Sequence, residues 1–343
     1  MNMHRRTFVG GMAATLVTPW HASAASITDA TGRTVTAPDR VARIYPAGPP
    51  AAIWIYTLAP DLLIGWVEAL TPEQREFLLP DVAAQPTVAR LTGRRAETNL
   101  DAVTALKPDL IVDIGTVNAS YTSLAERVQQ QTGIPYVLLD GILDRVGATY
   151  RALGHLIGRS EAAEKLAGYA ETTIATITQR STAVPPGARP RVYYARDAGG
   201  LQSARAGSMI GQPIDFLGAH NVAAELPSGG SSTVSIEQVA SWNPDLIIAS
   251  DRDFATRVRN DQAWASIAAV KAGRVYLAPR LPFGWVDYPP AVNRLIGLWW
   301  LAKIFYPAQF PEDIKALTRD FYTAFYHVTP SAAQIERVFA AAG

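Results

Sequence analysis

The chain is 343 residues long, carries 31 Lys and Arg against 30 Asp and Glu for a net charge of +1, and is 48% hydrophobic and 18% charged. That composition supports a large core and excludes a disordered chain, while the near-neutral balance gives no basis for a nucleic-acid or anionic-membrane partner. Cys is absent, which excludes a disulfide and a lipid-anchored cysteine.

The first 24 residues read as an export signal. Arg5 and Arg6 precede an apolar stretch from Phe8 to Val17, and Ala22-Ser23-Ala24 supplies a small-x-small cleavage site. The stretch is about half of the ~20 residues that cross a bilayer. The paired arginines favour the twin-arginine route, although such pairs also occur in Sec signals. Cleavage near Ala24 leaves about 319 residues, a length that suits two domains. It also removes Arg5 and Arg6, which brings the basic residues one below the acidic ones. A periplasmic, monomeric protein is expected.

The remaining chain repeats itself. Ala42-Arg43-Ile44-Tyr45 is a candidate first strand. Residues 99–115, NLDAVTALKPDLIVDIG, then match residues 235–251, SIEQVASWNPDLIIASD. Each unit has an acid (Asp101, Glu237) seven positions before a Pro (Pro108, Pro244), and Asp-Leu-Ile after it. Leu100, Val103 and Leu106, like Ile236, Val239 and Trp242, have helical spacing; the Pro stops the helix and the apolar run beyond reads as a buried strand. The flanks correspond too: Arg191-Val192-Tyr193-Tyr194 opens the second half, and Gly133 to Leu139 and Gly273 to Leu277 are matching later strands.

Between the halves, residues 160–184 predict one helix of about 33 Å, with Ser160 as N-cap and Glu161 and Glu164 at its positive end. Leu166, Tyr169, Thr173, Ile174 and Ile177 form its apolar stripe, and Pro185-Pro186-Gly187 ends it. The expected architecture is α/β: two Rossmann-like lobes with mostly parallel sheets, residues 25–159 and 185–343, joined by that helix.

These features resemble the helix-backbone (class III) periplasmic binding proteins that serve importers of iron-siderophore, haem and cobalamin. The resemblance rests on the opening hairpin Thr28 to Val35, on NLDAVTALKPDLIV and VSIEQVASWNPDLII, and on the long helix. It implies that Asp101 and Glu237 lie on the outer surface and dock onto arginines of an ABC permease dimer; Asp101 departs from the Glu more usual at its position. Pro282 to Pro290 with Asn293-Arg294 resembles a subgroup described as binding iron complexes, and a molybdate-binding branch lies among the relatives.

In such a fold the ligand sits between lobes, against loops at the carboxyl ends of strands. Tyr45, Arg94, Arg95, Tyr194, Arg196, Trp285 and Tyr288 are the candidates, because rings cover apolar faces and guanidinium forks meet carboxylate or oxyanion groups. Five of them have an alternative. Arg94 and Arg95 could be solvated, Trp285 core, Arg196 paired with Asp197, and Tyr45 packed beneath Pro49. A metal complex or an oxyanion is the expected ligand. His155, His220 and His327 are too scattered for a metal set, and His155 is expected to pack inside a helix. No resident cofactor is expected. Enzymatic signatures are missing: no Gly-x-Ser-x-Gly elbow, and the Gly pairs at 199–200 and 229–230 lack the Lys-Ser/Thr of a phosphate loop.

Overall fold

The computed structural model describes residues 25–93, 96, 99–205, 207–226 and 230–340. The expected signal at 1–24 and the candidates Arg94 and Arg95 lie outside the described residues. The chain opens with an antiparallel hairpin, β1 (Ser26–Thr28) and β2 (Thr34–Thr36). Asp29 holds its turn together by accepting from the Thr31 and Arg33 side chains, and the Ala30 amide donates to Leu138, which docks the hairpin on the first sheet.

That sheet is parallel, in the order β3 (Ile44–Pro46), β4 (Leu110–Gly115), β5 (Tyr136–Asp140). Helices α1 (Pro49–Leu58), α2 (Leu100–Ala105), α3 (Ala119–Thr132) and α4 (Val146–Leu156) surround it. Its strands are apolar on both faces because both faces are covered. The connecting helix α5 (Ser160–Thr182) follows, packed along α4. Ser160 is its first helical residue rather than its cap: Arg159 holds the cap position without a side-chain bond to the helix amides, its guanidinium pairing with Asp61 instead. Glu164 instead pairs with Arg151 of α4 at 2.7 Å. His155, expected to be packed, is exposed on the outer side of α4.

The second sheet is also parallel, ordered β11 (Val275–Leu277), β10 (Leu246–Ala249), β6 (Arg191–Ala195), β8 (His220–Asn221). A small two-stranded antiparallel sheet of β7 (Gln202–Ala204) and β9 (Ser231–Thr233) flanks it, and α6 (Ile236–Trp242) leads into β10. The repeat has a structural cause. In each unit the residue before the Pro, Lys107 or Asn243, turns left-handed (φ 47° and 42°). The Asp after the Pro, Asp109 or Asp245, accepts the backbone amide of Arg43 or Arg191 at the start of the neighbouring strand. The guanidinium of that arginine reaches back to the helix end, donating to Leu106 or Trp242 at 2.8 and 2.9 Å. The Asp of each motif is therefore a staple between helix, turn and first strand.

Helices α7 (Arg294–Phe305), α8 (Ile314–Phe325) and α9 (Ala332–Ala340) complete the chain. They extend one core across the molecule, and α8 and α9 return to the first lobe. Phe77 meets Tyr322 edge-on, Tyr150 meets Phe325, and the Tyr56 hydroxyl donates to the Tyr326 carbonyl at 2.6 Å. Arg337 pairs with Glu76 and lies over Phe77.

Candidate functional site

A cavity of about 520 Å³ opens between the lobes at the carboxyl ends of both sheets, where helix starts and strand ends leave polar backbone and loop side chains to face a ligand. From the first lobe, β3 runs into Gly48, where a Cβ would press on the Thr92 hydroxyl, and then into Pro49 and Pro50 at the start of α1. Strand β4 delivers Asp113, and Asn118 caps α3 so that Tyr121 in its first turn reaches the cavity. Arg90 contributes a guanidinium bonded to Glu68 at 2.9 Å, and Trp66 an apolar face whose Nε1 donates to Val82.

The second lobe supplies Arg196, Arg280, Phe283, Asp287 and Tyr288. Arg196 is the residue just past β6; its Nε donates to Asp287 Oδ2 at 2.7 Å and its Nη1 to Gln202 Oε1 at 2.9 Å. Burial opposes the charge on Arg196, but Asp287 together with the Tyr194 and Tyr288 phenols holds its pKa above the usual arginine value. Two guanidinium groups lie over the Tyr288 ring, Arg196 at 5.0 Å and Arg280 at 5.2 Å, and its hydroxyl donates to the Arg196 carbonyl. The loop that carries Asp287 and Tyr288 is pinned by Asn293, whose side-chain amide donates to the Gly284 and Pro289 carbonyls.

Arg294, the next residue, is fully buried behind this wall. It donates to carbonyls of Gly141 in the first lobe and of Met209 and Ala291 in the second, and to Gln212 Oε1. Burial drives its pKa down to about 10, opposed by Asp287, so the group stays cationic at neutral pH. Carbonyl oxygens solvate the ion without cancelling its charge.

Of the residues singled out from sequence, Arg196 and Tyr288 line the cavity together. Arg196 pairs with Asp287, whereas Asp197 accepts the Gln202 amide instead. Tyr45, Tyr194 and Trp285 are fully buried and are not among the residues lining the cavity. Tyr45 donates to the Ala89 carbonyl, and Tyr194 donates to Asp287 Oδ1 at 2.8 Å, which holds that carboxylate from behind. Trp285 packs edge-on against Phe339 of α9. Asp101 and Glu237 are exposed in the first turns of α2 and α6. The Ser235 hydroxyl holds the Glu237 carboxyl below its ordinary pKa.

Sequence reasoning passed over Arg90, Asp113, Tyr121 and Arg280. Asp113 and Arg280 were within its reach: one is an acid inside the apolar run LIVDIG, and the other lies just past the strand at 275–277. Among the described residues no three His, Cys, Asp or Glu side chains form a metal-ligand set.

The model of the periplasmic binding protein family matches residues 80–281. The chain is similar to the molybdate-binding protein MolA of Haemophilus influenzae, with 28% identity over 259 residues, 70% of this chain and 73% of that one. It is similar to a cobalamin-binding protein of Halobacterium salinarum, with 29% identity over 279 residues, 74% and 70% of the two chains. An ABC transporter solute binding protein from Sulfurospirillum deleyianum shares the structure with a TM-score of 0.84 at 27% identity, over 92% of this chain and 99% of that one. With more than half of its length matched, including both repeat units, the chain belongs to the periplasmic binding protein family.

Proposed function

We propose that this chain is the periplasmic substrate-binding component of an ABC importer and that it captures an anionic iron complex, a ferric siderophore or haem, between its lobes. The observation that carries the ligand class is the composition of the cavity. Arg90, Arg196 and Arg280 reach it beside Trp66, Tyr121, Phe283 and Tyr288, in a volume of about 520 Å³. Rings and prolines suit the organic body of a chelate, guanidinium groups suit its peripheral carboxylates, and the volume falls in the range of drug-sized ligands. In this reading the iron would arrive already chelated, its organic shell meeting the rings and its carboxylates the guanidinium groups. The exposed Asp101 and Glu237 would set the receptor on its permease, and residues 1–24 would direct export.

A second reading, capture of molybdate, is favoured by the similarity to MolA. The two separate in a fluorescence titration against ferric siderophores, haem, cobalamin and molybdate. Trp66 lines the cavity, so its emission should be quenched on occupancy, whereas buried Trp285 should respond little. Saturable submicromolar binding of a ferric chelate is the expected result. Tight molybdate binding without a chelate response would move the substrate to oxyanions and leave the transport role in place.

A further inference from the structure

Asp113 differs from the other acids of the cavity. It is 4% exposed, close to the end of β4, and forms part of the cavity wall. Glu68 faces Arg90 and Asp287 faces Arg196, but the partners of Asp113 are neutral. The Tyr136 hydroxyl donates to Oδ2 at 3.2 Å and the Thr92 hydroxyl to Oδ1 at 3.4 Å. Among the described residues it makes no ion pair.

Its titratable surroundings come from every neighbouring element. β5 brings Tyr136, with Arg33 of the opening hairpin acting on that ring; α3 brings Tyr121, on which Arg90 also acts. Arg196, Arg280, Asp287 and Glu68 share the cavity with it, and Pro49 and Pro50 of α1 bring no ionisable group. Burial pushes the Asp113 carboxyl up to about 6, against the pull of the Tyr136 and Thr92 hydroxyls and the Ile114 amide.

The described lining holds three guanidinium groups (Arg90, Arg196, Arg280) and three carboxyl groups (Glu68, Asp113, Asp287). One proton at Asp113 therefore decides whether that lining is balanced or positive, and the buried cation of Arg294 adds to the positive side. The same proton converts an oxygen that repels an anion into a donor that can hold one.

We propose that Asp113 is a ligand-facing acid that makes capture proton-linked: it takes a proton from solvent as an anionic ligand enters, and donates that proton in a hydrogen bond to a ligand oxygen. This rests on the reading of the ligand as an anion. The sign follows from linkage. A ligand that prefers the protonated acid raises its midpoint above that of the empty protein, about 6. Affinity is then highest and flat below about pH 6. It declines by up to about tenfold per pH unit above that, until the midpoint of the occupied protein is passed.

The test is calorimetric titration of the protein and of its Asp113→Asn and Tyr136→Phe variants with ferric citrate and with molybdate. Titrations run from about pH 5.5 to 8 in buffers of different ionisation heat. For the probe that binds, affinity should fall about tenfold or more between pH 6 and 8, with proton uptake approaching one per ligand. Asp113→Asn should keep the low-pH affinity throughout and take up no proton. Tyr136→Phe, which removes a donor to the carboxylate, should move the decline to higher pH. Should Asp113→Asn not fold, proton uptake by the unaltered protein and the displaced profile of Tyr136→Phe still decide. A profile that neither variant alters, or binding without proton uptake, overturns the inference. Failure of both probes, and of haem titrated in the same way, to bind at any pH overturns the anionic reading, and the inference with it.

Discussion

Asp287 is 3% exposed and yet serves three donors: the Tyr194 hydroxyl on one oxygen, and Nε and Nη2 of Arg196 on the other. Replacing it by Ala would strand a guanidinium whose side chain is 9% exposed and a phenol that is fully buried. Truncating one partner of a buried ion pair costs about 3–5 kcal/mol, so Asp287→Ala should lower the unfolding free energy measured in urea by that margin, with Asp287→Asn losing less. A variant as stable as the parent would mean that Gln202 and the Tyr288 ring suffice to hold Arg196. At this scale, what sequence could reveal depended on strand phase. Side chains alternate along a strand, and Tyr193 and Tyr194 enter different core clusters on opposite faces of β6. Neither tyrosine reaches the cavity, whereas Arg196, one residue past the strand, does. A strand-end rule finds the neighbourhood, but only the last paired residue, fixed by the sheet register, says which side chain clears it.

Among elements, the two helix-Pro-strand units were the most legible part of the chain, and the staple explains why. Pro108 and Pro244, the left-handed residue before each, and the Asp after each must all be present to turn a short helix into a parallel strand. Such local chemistry leaves a mark in sequence. The Asp101 and Glu237 side chains take no part in it; both are exposed in first turns, where acids suit the positive helix end. Their position permits docking as well as local stabilisation, and the two uses separate by experiment. Charge reversal by Asp101→Lys with Glu237→Lys should abolish uptake in cells while leaving ligand affinity within about twofold, since surface substitutions cost little stability. Uptake that survives reversal would favour a receptor that serves a sensor. The start of α5 was harder to read: Ser160 has the composition of a cap, but Arg159 occupies that position without a side-chain capping bond.

Over the whole molecule the lobes are tied twice, once by α5 and once by the chain beyond β11. The segment from Leu281 lines the cavity with Phe283, Asp287 and Tyr288 of the second lobe, and the helices beyond it, α8 and α9, anchor on the first. The Gln74 side chain adds a bond to the Pro282 carbonyl across the cavity rim, and Arg294 binds carbonyls from both lobes. Sequence pointed to the first tie because a long amphipathic helix has a period. The second was hidden because its helices give no sign of which lobe they will cover. Two ties leave little room for hinge motion, so X-ray scattering should show a radius of gyration that changes by about 1 Å or less on ligand binding. A fall of several ångströms would refute this.

The second tie also bears on how the protein is made. Tyr56 finds its carbonyl partner 270 positions downstream, at Tyr326, and Trp54, Phe77 and Tyr150 share one core with Phe321, Tyr322 and Phe325. A nascent chain that has completed the first sheet still shows these rings to water, and the apolar surface stays open until α8 leaves the ribosome. Contacts so distant in sequence delay folding. Synthesis of this receptor thus keeps its amino-terminal lobe unsealed, and within reach of chaperones, until most of the polypeptide exists.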